Sequence, residues 1–89
     1  MDEIHVTYEG HVQGVGFRLT TRRYAQGRKV SGWVRNKTDG TVEMIAQGSK
    51  QQLQSLLNDI NRHFSPNITQ ADISWSSVSK KIQGFEISY

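Results

Sequence analysis

Apolar and polar residues alternate at the start of the chain. Ile4, Val6 and Tyr8 fall on one side; His5, Thr7 and Glu9 fall on the other. That period of two predicts a half-buried strand. A glycine-rich stretch, GHVQGVGFR at residues 10–18, interrupts it. From residue 17 to 28 the period becomes helical, with Phe17, Thr21, Tyr24 and Ala25 roughly on one side and Gly27 weakening the end. Val30 to Asn36 reads as a second strand. Thr38-Asp39-Gly40 is a turn signal, and Thr41 to Gln47 is a third strand with Val42, Met44 and Ala46 facing one way. Ser49 and Gln52 have the spacing of a capping box. Leu53, Leu56, Leu57, Ile60 and Phe64 then form one helical stripe, which Ser65-Pro66-Asn67 ends. Residues 68–80 contain a strand with Ala71, Ile73 and Trp75 on one parity. Gln83-Gly84 is a turn, and Phe85, Ile87 and Tyr89 close the chain as a last strand.

The element order is β-α-β-β-α-β, with the fourth strand region split. Two amphipathic helices each need a sheet face to cover, and one antiparallel sheet with both helices on one face supplies it. This is an α+β, ferredoxin-like split β-α-β sandwich. Right-handed crossovers make the first two strands parallel, with the third between them. The glycine stretch and Asn36 then leave the same end of the sheet and become neighbours in space.

Length and composition narrow the function classes. Eighty-nine residues suit a single domain, 1–89, with a modest core. With no cysteine, there is no disulfide, thiolate metal site or cysteine nucleophile. His5, His11 and His63 are scattered, without metal-ligand spacing. No apolar run approaches the roughly 20 residues that span a bilayer, and the N-terminus is acidic and alternating. A cytoplasmic protein is expected. The net charge is only +3, but its distribution is uneven: Arg18, Arg22, Arg23, Arg28, Lys29, Arg35 and Lys37 lie between Gly10 and Thr38 with no Asp or Glu among them. Such a region attracts anions.

The glycine stretch fits that charge. A loop running into a helix exposes backbone N–H groups, which with the helix dipole form an anion site. Glycines let those groups converge. Arg18 falls in the first helical turn, where a cation opposes the dipole by about 0.3–1 kcal/mol unless an anion sits there too. Its planar fork suits phosphate or carboxylate. The P-loop and dinucleotide fingerprints are both absent. A tight glycine turn with an incidental arginine therefore stays open, and Asn36 alone reads rather as a turn residue, raised only by its expected nearness to Arg18. Asp39 reads as turn chemistry. Trp33, Trp75, Phe85 and Tyr89 read as packing residues.

GHVQGVGFR, followed after a helix by GWVRNKTDGTVE at residues 32–43, resembles the acylphosphatase family. SPNITQADI and the terminal FEISY are also similar to it, and the likeness covers nearly the whole chain. The resemblance implies hydrolysis of the carboxyl-phosphate bond of acyl phosphates to a carboxylate and inorganic phosphate, without metal or cofactor. It implies a phosphate cradle made by the backbone N–H groups of Gln13, Gly14, Val15, Gly16, Phe17 and Arg18. Arg18 takes the place of the family's phosphate-binding arginine, and Asn36 that of its water-orienting asparagine. A monomer acting on a small acyl phosphate, with no nucleic-acid or membrane partner, is expected.

The family pattern is broken in places. A Leu-Gly-Leu-like run normally closes the first helix; here Arg28-Lys29-Val30 stands there. Either Lys29 takes the left-handed conformation, at roughly 1–2 kcal/mol, or the helix stops at Gly27. Arg28 replaces an apolar core residue, with a stem able to snorkel. Ser65-Pro66 replaces Gly-Pro. The competing function is a non-catalytic anion- or RNA-binding module on the same fold. Against it, the RNA-recognition pattern is absent, TVEMIAQ carries no aromatic, and the basic residues are expected on the first helix and loops rather than on strands.

Overall fold

The computed structural model describes residues 1–89. Five strands and two helices follow in the order β1 (Asp2–Gly10), α1 (Phe17–Gly27), β2 (Ser31–Asn36), β3 (Val42–Gly48), α2 (Lys50–Phe64), β4 (Ile68–Ser77) and β5 (Phe85–Ser88). The sheet order is β4-β1-β3-β2-β5. Each adjacent pair is antiparallel except β2 and β5, which run parallel at one edge. The expected all-antiparallel sheet is corrected at that edge. Having finished β4 at one edge, the chain crosses to the other and enters β5 in the direction of β2.

Gln47 fixes that crossing. It is 1% exposed, and its amide donates to the Lys80 carbonyl and to Glu3 Oε1, each at 2.7 Å. Its Oε1 accepts the Ile82 N–H at 2.8 Å. A buried amide costs little only when its donors and acceptor are all used, and here they hold the linker between β4 and β5.

The core is one cluster between the sheet and the helices. Ile4, Val6 and Tyr8 of β1 and Val42, Met44 and Ala46 of β3 are buried, as alternation required. The α2 stripe of Leu53, Leu56, Leu57, Ile60 and Phe64 lies against them. Its capping box is formed: Ser49 Oγ accepts the Gln52 N–H at 3.1 Å, and Gln52 Oε1 accepts the Ser49 N–H at 2.8 Å. Such a cap contributes about 1 kcal/mol. Ile73 and Trp75 share the helix-facing parity of Val6 and Ile4 yet stay 42% and 41% exposed. As an edge strand, β4 lies past the cover of α2. Of the four aromatics expected to pack, Phe85 is buried. Trp33 is half-buried under the Arg35 guanidinium, and Tyr89 lies open at 98%.

The end of α1 combines both sequence alternatives. The helix stops at Gly27, and Lys29 takes the left-handed conformation at φ 58°. The Val30 N–H reaches the Ala25 carbonyl at 2.9 Å and the Lys29 N–H reaches that of Gln26 at 3.1 Å. This is a Schellman cap with lysine where glycine is usual. Arg28 faces outward, and its fork grips Asp59 on α2 at 2.8 and 3.0 Å. The Asp59 side chain is 3% exposed and also accepts from Arg62 at 2.6 Å. A half-buried ion pair thus ties the two helices where the family pattern has an apolar residue.

Candidate active site

Tyr8 of β1 and Asn36 of β2 are both level with Val42 of β3, which pairs with each. The loop after β1 and the hairpin after β2 therefore leave the sheet side by side. Around them lies a cleft of ≈ 320 Å³ lined by Gly14, Gly16, Arg18 and Asn36, with Arg22 and Tyr89 at its wall. Residues 18 positions apart in sequence meet here because β1 and β2 are parallel.

Three apolar residues anchor the loop. Val12 is buried, Val15 packs against the core, and Phe17 sits between Tyr8 and Phe64 with ring centroids 5.0 and 4.5 Å away. Between these anchors Gly14 and Gly16 take φ 76° and 78°, and a Cβ at either would meet nothing within 4 Å. Glycine is needed there for conformation, not for space. Gly10 serves another purpose: a Cβ there would lie 2.2 Å from the Asn67 carbonyl oxygen, and the next residue's N–H donates to that same oxygen at 2.9 Å. The three glycines thus divide into one close approach to β4 and two turns that shape the loop.

Gly16 is the N-cap of α1 and offers no side-chain cap. The backbone N–H groups of residues 13–19 have no backbone partner; the first regular bond is from Thr20 to the Gly16 carbonyl at 3.0 Å. With no acid in the first turn of α1, the positive end of the helix is uncompensated. Such a set of free donors is suited to an anion.

Gln13 joins the loop to the hairpin. Its side-chain amide donates to the Lys37 carbonyl at 2.8 Å and to that of Thr41 at 2.9 Å. In sequence Gln13 stands out only for its backbone N–H; this clamp, across 24 and 28 positions, leaves no local signal. The hairpin tip is stiffened by Asp39, whose Oδ1 accepts both the N–H and the hydroxyl of Thr41, at 3.0 and 2.6 Å. Those bonds hold the Asp39 carboxyl below its ordinary range. Asp39 is thus the turn residue that was expected.

Arg18 is half-buried, with its guanidinium 5.1 Å from the centre of the Tyr89 ring. That separation is within cation–π range. Tyr89 was read only as a packing residue, and no sequence spacing marks it. Arg22, four positions after Arg18 on α1, was legible only as one of several basic residues; the i,i+4 rule places it on the same face. The basic window is partly neutralised from outside itself. Arg28 pairs with Asp59, and Arg35 pairs with Glu43 at 2.7 Å, leaving Arg18, Arg22, Arg23, Lys29 and Lys37 without a carboxylate partner. Arg35 lies on β2, which corrects the expectation that no basic residue occupies a strand.

The acylphosphatase family pattern matches residues 4–87. The chain is 40% identical over 91 residues to an acylphosphatase of Bacillus velezensis, covering all of both chains. It is 41% identical over 81 residues to one of Salinibacter ruber, covering 88% of this chain and 83% of the relative. The crystal structure of the acylphosphatase from Bacillus subtilis superimposes over all of both chains with a TM-score of 0.93 at 35% identity. No helix here is long and apolar enough to cross a membrane. From residues 4–87 and the full-length relatives together, the chain belongs to the acylphosphatase family.

Proposed function

We propose that this chain hydrolyses acyl phosphates at the cleft between the glycine loop and the Asn36 hairpin, with Arg18 and Asn36 as its catalytic residues. The observation that supports this reading is that Arg18, Asn36 and a loop of unpartnered N–H groups line one cleft. The N–H groups of Gln13, Gly14, Val15, Gly16, Phe17 and Arg18 cradle the phosphoryl oxygens. The Arg18 guanidinium neutralises charge that builds on them in the transition state.

A carboxylate is a good leaving group, so no general acid is required. Water attacks phosphorus, the phosphorus–oxygen bond to the acyl group breaks, and its electron pair leaves with the carboxylate. The Asn36 amide, with both a donor and an acceptor, orients the water in line. A phosphoryl oxygen takes the proton, and the products are a carboxylate and inorganic phosphate. We read the chain as a single-domain cytoplasmic monomer acting on a small substrate, without nucleic acid; sedimentation velocity tests the oligomeric part. Consistent with that reading, Glu43 stands between His5 and Arg35 on the open sheet face where an RNA strand would stack.

Phosphate release from benzoyl phosphate in EDTA tests the assignment. Arg18→Ala and Asn36→Ala are each expected to lower kcat by about 10²–10³, the effect of removing one transition-state donor, while keeping the wild-type circular dichroism. Folded variants with wild-type turnover would overturn the residue roles. A folded wild type with no turnover would overturn the activity.

A further inference from the structure

Arg18 is not the only guanidinium in the cleft. Arg22 lines the same wall, is half-buried and has no carboxylate partner. This sets it apart from Arg28, Arg35 and Arg62, each of which is ion-paired outside the cleft. Nothing on α1 offers it one, because FRLTTRRYAQG contains no acid. Arg18 and Arg22 are one helical turn apart, about 6 Å along the axis, and as like charges at i,i+4 they repel each other. A single phosphoryl group in the loop answers Arg18 and the N–H cradle. A second anionic group, one helical turn further along, answers Arg22. Apolar Leu19, Ile87 and Tyr89 line the cleft as well and suit the carbon skeleton between two such groups.

We propose that Arg22 is a specificity residue that receives an anionic group on the acyl half of the substrate. The cleft then prefers acyl phosphates carrying a second carboxylate over those with an uncharged acyl chain. This inference rests on the acyl phosphate reading above and deepens it.

The test compares kcat/KM for para-carboxybenzoyl phosphate and para-methylbenzoyl phosphate. The two differ in the remote charge, and neither can cyclise. Wild type is expected to favour the carboxylated substrate. In Arg22→Gln the ratio of the two values should fall about fivefold to tenfold, the loss of one charge-assisted hydrogen bond at a half-exposed site. Arg22→Lys should restore most of the ratio, and added salt should lower it in wild type. Taking the ratio cancels effects on the phosphoryl group that both substrates share. If wild type shows no preference, or if Arg22→Gln lowers both substrates alike, Arg22 acts on the phosphoryl group or on the fold and the inference is overturned. Folded wild type that hydrolyses neither substrate overturns the acyl phosphate reading and this inference with it.

Discussion

The side-chain amide of Gln13 donates to the backbone carbonyl of Lys37 at 2.8 Å, and so couples the glycine loop to the residue that follows Asn36. Its second bond, to Thr41 at 2.9 Å, spans the hairpin. Arg18 and Asn36 sit on separate segments, and this amide ties those segments together. Gln13→Ala removes both side-chain bonds, while the Lys37 and Thr41 carbonyls keep their backbone bonds from Gly40 and Lys37. It should lower stability by about 1–2 kcal/mol and kcat/KM by about tenfold or more, since misplacing a catalytic group by about 1 Å can cost a hundredfold. Urea unfolding and benzoyl phosphate kinetics measure both. Full activity in a destabilised variant would show that the clamp serves the fold alone.

Gly16 and Gly10 separate conformational from steric need. Gly16→Ala strains a φ of 78° but meets nothing, so about 1–2 kcal/mol is expected. Gly10→Ala drives a Cβ toward the Asn67 carbonyl oxygen, 2.2 Å away. It should cost more than about 3 kcal/mol, as overpacking against backbone does. Chemical denaturation of the two variants gives the order directly, and the reverse order would refute this division of labour.

The Asp59 pair makes a pH prediction. Hydrogen bonds from Arg28, then from Arg62, hold the Asp59 carboxyl below its ordinary value despite its burial. A depressed carboxyl pKa contributes stability above the unfolded value of about 4, and that stability is lost as pH falls through the folded value. Asp59→Asn should therefore cost about 2 kcal/mol at neutral pH, less than a fully buried pair because Arg28 is 43% exposed. The gap from wild type should close as pH falls below about 4. Urea midpoints across pH 2–7 check it; a gap independent of pH would point to packing rather than charge.

Lys29→Gly should stabilise the protein. Lysine at φ 58° carries about 1–2 kcal/mol of strain, and the added freedom of glycine in the unfolded chain returns about 0.4–1 of it. A net gain of about 0.5–1 kcal/mol is expected from thermal or urea unfolding, with benzoyl phosphate turnover unaltered because Lys29 is remote from the cleft lining.

Inorganic phosphate, the expected product, should bind the same cradle. At about ten times its Kd it should raise the melting temperature of wild type by about 5–10 °C through linkage. In Arg18→Ala the shift should shrink to near zero. An equal shift in both proteins would place the anion elsewhere.

Much of this molecule is written in local pattern. Strand alternation, the α2 stripe with its Ser49–Gln52 box, and the Asp39 turn each depend on near neighbours in sequence. Such rules act within a few residues and can be read from them. The loop glycines and Arg18 were legible as a candidate anion site for the same reason. The parallel β2–β5 edge, the exposure of Trp75 and the Gln47 pins were not, because they depend on which strand ends at a sheet edge and where the chain crosses. Arg28 finding Asp59, Gln13 finding Lys37, and Tyr89 beneath Arg18 join residues 24 to 71 positions apart. Local pattern is enough for the kinds of element, their order and the chemistry available at the loop. Which distant side chains share a cleft depends on the folded topology, because contacts closed across long loops leave no periodic trace along the chain.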